Sequence, residues 1–139
     1  MRKLCTQRGG GHSDFTFTGN TIRNVTSGNE PIFVQSGSLN TDANDVCADI
    51  GGTGGDNTNP PGNDFAGQAA GGVTDIAFRR PSAAASAHLR LPGFSPPAST
   101  NLQPYIQGRN VGNPTALNFS GELEAGPASC QQPALPVAP

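Results

Sequence analysis

Tryptophan is absent from this 139-residue chain, tyrosine and methionine occur once each, and charged residues make up only 13% of it. The formal net charge is −2, with no basic stripe and no aromatic-plus-arginine platform. Nucleic-acid binding is therefore excluded, because it needs a positive surface to meet phosphate. Apolar residues reach 34% and never form an uninterrupted run long enough to cross a bilayer, which takes roughly 18 residues, so no membrane span is expected. The start, MRKLCTQRGGG, is basic but has no apolar segment behind it, and so does not read as a signal peptide. If the protein acts outside the cell, the expectation is that this chain is a piece of a longer exported one, or is mis-started.

Cysteine is scarce too: Cys5, Cys47 and Cys130. No two have the spacing of metal ligands, and neither His12 nor His88 is beside one, so zinc is not expected. A disulfide between Cys47 and Cys130 is predicted, to hold a long proline-rich tail that has little else to fix it. It would close a loop of about 80 residues, worth about 4 kcal/mol in the loop-entropy picture. Two separate free thiols are the competing reading. Cys5 is left over.

What the chain has in quantity is turn formers, with 19 glycines and 13 prolines, just under the share at which low-complexity disorder is the default. A coil of short parallel strands accommodates such a composition, because its many turns take Gly, Asn and Ser while small apolar residues stack inward. Phe15 to Gly37 reads that way. Phe15 and Phe17 alternate with Thr16 and Thr18, Gly19-Asn20 turns, Ile22 and Val25 face inward, Ser27-Gly28-Asn29 turns again, and Ile32 and Val34 form a third edge. The pattern returns: Gly62-Asn63-Asp64-Phe65 echoes Gly19-Asn20-Thr21-Ile22 at a spacing of 43, while Ile76 and Phe78 echo Ile32 and Val34 at 44. Gly19, Asn20, Gly62 and Asn63 are expected as structural turn residues, since Gly and Asn take left-handed or bridging backbone most easily. Stacked Asn side chains can also hydrogen-bond along such a coil.

The fold class expected is all-β, a short right-handed parallel β-helix of two to three rungs with an irregular proline-rich tail. Residues 1–12 read as a disordered lead-in. Residues 13–94 carry the rungs, with a polar turn from Leu39 to Asp45, inward Val46, Ala48 and Ile50, and outward Cys47 and Asp49. A glycine-rich loop protrudes at 51–62. Ser82 to Leu89 (SAAASAHL) reads as a loose outer loop, with a short Ala-rich helix as the alternative, and Leu89 and Leu91 read as a further strand. Residues 95–139 form the tail. In it, Thr100 or Asn101 caps a short helix at 100–107 that carries Leu102, Tyr105 and Ile106 and stops at Gly108. Leu117 and Phe119 hint at one more extended edge.

Chemistry is thinly supported. Gly51-Gly52-Thr53-Gly54-Gly55-Asp56 matches the opening of a calcium-binding β-roll repeat. With a single copy and Thr58 where an apolar residue belongs, it reads first as a flexible loop, with calcium through Asp56 as the alternative. No catalytic residues, no resident metal and no cofactor are expected. Five of the ten acids lie between Asp42 and Asp64. Polysaccharide chemistry on a β-helix would require Asp45, Asp49, Asp64 and Asp75 to gather near Arg79 and Arg80, since glycoside cleavage needs two carboxylates on one groove. The simpler reading is solvated acids, with Arg79, Arg80 and Arg90 facing outward and pairing with them. Asn24-Val25-Thr26 and Asn118-Phe119-Ser120 are glycosylation sequons, meaningful only in a eukaryotic secretory setting.

Several stretches taken in order resemble a terminal segment of large bacterial surface proteins of the right-handed parallel β-helix type, of adhesin or autotransporter-passenger style. They are Phe17-Thr18-Gly19-Asn20-Thr21-Ile22, Ile76 to Arg80, Leu89 to Phe94, Tyr105 to Asn110 and Cys130-Gln131-Gln132-Pro133. The resemblance implies a non-catalytic structural or adhesin-like segment at the cell surface or outside the cell. Its partners would be upstream β-helix rungs, and surface glycans or host and cell-surface molecules. A fragment of a carbohydrate-active β-helix protein is the alternative function.

Overall fold

Val46, Ala48 and Ile50 do face one core, and so do Ile32 with Val34, Ile76 with Phe78, and Leu89 with Leu91. In each strand the intervening residue turns the other way, as the two-residue period of extended chain requires. The computed structural model describes residues 3–7, 9–23, 30–52, 61–68, 74–127 and 130. Among the described residues eight strands form: β1 Lys3–Gln7, β2 Gly10–Phe17, β3 Ile32–Ser36, β4 Ala43–Ile50, β5 Ile76–Arg79, β6 His88–Pro92, β7 Ala116–Asn118 and β8 Glu124–Gly126. One helix, α1, spans Ala98–Gln107. The protein is mostly β, with parallel sheets and one helix.

The strands fall alternately into two four-stranded sheets, β1-β3-β5-β7 and β2-β4-β6-β8. Every pairing is parallel. The register of β3 on β5 sets Ile32 against Ile76 and Val34 against Phe78, the pairs that the 44-residue echo singles out. A third line of contact runs beside the sheets through single parallel bridges, Thr21 to Asp64 and Asp64 to Val111. Its turns carry an amide ladder. Asn20 donates its backbone N–H and its Nδ2 to Asn63 Oδ1 (3.1 and 3.0 Å), and Asn63 does the same to Asn110 Oδ1 (3.1 and 2.9 Å).

The core between the sheets is closed by Phe65, Phe94, Leu102, Ile106 and Leu123, all buried. A side chain of that kind contributes about 1.5–3 kcal/mol when taken fully out of water. The outward residues of β3 are covered as well: Phe33 packs against Phe119 at 6.3 Å between ring centroids, and Gln35 Nε2 donates to the Gly37 carbonyl.

Several expectations need correcting. Residues 3–7 and 10–12 lie in β1 and β2, so the first dozen residues are not simply a lead-in; pairing with β3 and β4 supplies the hydrogen bonds their polar sequence does not advertise. Nor does position 94 divide the fold, because β7 and β8 extend both sheets. Residues 81–87 combine the two readings, a short 3-10 turn at Ser82–Ala84 followed by a loop, and the segment is not loose, because Ala84 and Ala87 are buried. Helix α1 starts two residues earlier than Thr100, with Pro97 at its cap position and no side-chain cap. Asn101 is free of that duty and donates back to the Ser95 carbonyl at 2.9 Å.

Candidate functional site

Parallel register stacks the outward side chains of the second sheet into rows. His12, Asp45 and His88 form one row across β2, β4 and β6; Asp14, Cys47, Arg90 and Glu124 form the next across all four strands. Polar contacts join the rows, those of Arg90 being ion pairs. His12 Nε2 lies 2.8 Å from Asp14 Oδ1 and its Nδ1 3.6 Å from Asp45 Oδ2. Arg90 reaches Asp45 through Nε (2.8 Å) and Glu124 through Nη1 (2.9 Å), and His88 Nδ1 meets Glu124 Oε1 at 2.7 Å. Between them opens a cleft of about 520 Å³ lined by His12, Asp14, Asp45, Cys47 and Arg90, with the chain from Ala125 to Pro127 on its far side. Three carboxylates against one arginine make its surroundings acidic, which suits a cation better than an anion.

The tail covers this face. Cys47 and Cys130 stand at disulfide distance, with sulfurs 2.12 Å and Cα atoms 5.6 Å apart. Cys47 was expected outward, and it is; it is nevertheless buried, because Cys130 lies over it. Asp49, two residues on, is covered by Arg109, whose Nη2 sits 2.5 Å from Asp49 Oδ1. The Arg109 guanidinium also lies over the Tyr105 ring, 5.3 Å from its centroid. The Tyr105 hydroxyl donates to the Pro92 carbonyl (2.7 Å), and burial pushes its pKa up to about 12.

The four acids that polysaccharide chemistry would need do not gather. Asp45 and Asp49 share the outer face of β4 but are held by different arginines. Asp64 belongs to the bridge line, where Arg23 Nη2 binds its Oδ2 at 2.6 Å; that bond, and then the Ala66 N–H, hold its carboxyl below the usual range. Asp75 precedes β5 and accepts from the backbone and hydroxyl of Thr115 (2.8 and 2.9 Å). Arg90 pairs with Asp45 as expected. Arg80 instead turns to carbonyls, donating through Nη1 to Ala85 and Ala87. Asp56, the calcium candidate, lies outside the described residues.

All four expected turn residues sit on the bridge line, for different reasons. Gly19 has a φ of +68°, which glycine adopts at least cost. Gly62 is needed for space: a Cβ there would stand 2.5 Å from the Arg109 carbonyl oxygen. His12, Asp14 and Glu124 were missed as a group. The only signal for them was the i, i+2 spacing of His12 and Asp14, which places both on one face once β2 is known to be a strand. No protein-family model, curated protein or solved structure matches the chain. Among the described residues, no helix is long and apolar enough to cross a membrane.

Proposed function

We propose that this chain is a short right-handed parallel β-helix serving as a non-catalytic, adhesin-like structural segment of an exported cell-surface protein. The observation that carries the reading is the strand order. Consecutive strands go to different sheets, each sheet grows by every second strand, and a third parallel line with its Asn20–Asn63–Asn110 ladder runs alongside. A chain coiling in one direction produces that pattern, and in-sheet parallel crossovers are right-handed in nearly all cases. The paired Cys47 and Cys130 support an oxidising setting.

Upstream rungs of the same architecture are the favoured partner. Phe15, Phe17 and Ile22 pack on the core at the β2 end but remain only partly buried there. Another layer stacked on β1 and β2 would finish covering them. Surface glycans or host molecules would then meet the outer surface; most of the loop expected at 51–62 lies outside the described residues.

Protease shaving of intact producing cells tests the reading. The expected result is release of peptides from this chain, with the Cys47 and Cys130 peptides joined until reduced. Recovery only from the cytosol, with both thiols open to alkylation, would overturn it. The carbohydrate-active alternative retains one observation, the cleft that holds Asp14 and Asp45 with His12 between them. Reducing ends released from a polysaccharide panel by the wild type, and not by Asp45→Asn, would put that alternative first.

A further inference from the structure

Under the tail, three metal-ligating side chains meet. A carboxylate oxygen of Asp14, Cys47 Sγ and Cys130 Sγ all lie within 4.8 Å of one another. Asp14 and Cys47 are outward neighbours in the β2–β4 register, and Cys130 lies against them. His12 stands two residues before Asp14 on the same face, its Nε2 2.8 Å from the Asp14 carboxylate. The His12 side chain is 54% exposed, so its ring turns without disturbing the core, whereas Asp14 is only 13% exposed.

We propose that Cys47 and Cys130 form a clasp with two chemistries: a disulfide when oxidised and, once reduced, a zinc site completed by Asp14 and His12. A tetrahedral zinc ion with Zn–S near 2.3 Å sets two thiolate sulfurs roughly 3.7 Å apart and its other ligand atoms slightly closer. Two unbonded thiols relax to about that separation, and the Asp14 oxygen is already at hand. A dithiol reductant supplies two electrons and two protons. The S–S bond breaks, two thiols form, and the reductant leaves as its own disulfide. Zinc then displaces the two thiol protons to solvent and binds both thiolates, the Asp14 carboxylate and neutral His12 Nε2. The acidic cleft favours the cation, and metal binding itself draws the protons from the two thiols. The tail stays pinned to β4 in either redox state, whether or not the chain is exported.

Anaerobic titration of the phosphine-reduced protein with cobalt(II) tests this, cobalt being a coloured stand-in for zinc. One equivalent is expected to bind, with thiolate-to-cobalt charge transfer and intense tetrahedral visible bands, both abolished by added zinc. The disulfide form is expected to bind none, and Cys130→Ser to lose tight binding. Asp14→Asn and His12→Gln are each expected to weaken binding at least tenfold. Melting of the oxidised variants by circular dichroism shows that each folds, and His12→Gln, altered at an exposed side chain, decides the matter if Asp14→Asn does not. Absence of charge transfer in the reduced wild type, weak octahedral bands, or unchanged affinity in a folded His12→Gln variant would overturn the site.

Discussion

Asn63→Ala is the sharpest probe of the bridge line. The Asn63 side chain is fully buried and makes four hydrogen bonds. It accepts from Asn20 N–H and Nδ2, and donates to the Phe17 carbonyl (2.8 Å) and Asn110 Oδ1 (2.9 Å). At about 0.5–1.5 kcal/mol net each, the four together lie between roughly 2 and 6 kcal/mol. Some partners survive the loss: Phe17 O still receives Gly51 N–H, Asn110 Oδ1 still receives Asn63 N–H, and Asn20 Nδ2 keeps Thr18 O. The group left stranded is the Asn20 N–H. The expected loss is therefore about 3 kcal/mol, toward the middle of the range. Asn20→Ala serves as the control, removing two bonds at a half-buried position, for about 1 kcal/mol. Urea unfolding with the disulfide intact, followed by circular dichroism and Tyr105 fluorescence, measures both, provided the denaturant slope stays constant. If Asn63→Ala costs no more than Asn20→Ala, the ladder is not what holds these turns in register.

Other outcomes follow from the same contacts. Cys130→Ser, studied without metal, opens an 83-residue loop and is expected to lose about 4.5 kcal/mol in urea unfolding; a loss below about 1 kcal/mol would mean the tail is held by other contacts. Gly51→Ala puts a Cβ against the Arg109 carbonyl and the Asn110 amide at a φ of +110°, and is expected to cost about 3 kcal/mol or more, read as a lower urea midpoint. Tyr105 has a folded pKa pushed up to about 12, mainly by burial, against about 10 in the unfolded chain. Its contribution to stability is complete below pH 10 and is lost between about pH 10 and 12, by at most about 2–3 kcal/mol. Tyrosinate absorbance rising at its ordinary pH in the folded protein would refute the burial.

What the sequence determined by itself is local. The alternation at 46–50, the echo of Ile32 and Val34 in Ile76 and Phe78, the helix around Leu102 and Ile106, and the matching Gly-Asn turns all depend on short-range periodicity or turn chemistry, and each appears in the structure. What only the tertiary structure decided is register. Asn110 escaped notice as the third amide because α1 lies between β6 and the turn that Asn110 occupies, stretching the spacing from 43 to 47. The meeting of His12 and Asp14 with Asp45 and Cys47 depends on how far the chain travels between β2 and β4 before it pairs again, a length no local pattern encodes. Parallel strands are joined by crossovers of variable length, so side chains distant in sequence become neighbours only when backbone pairing fixes their alignment.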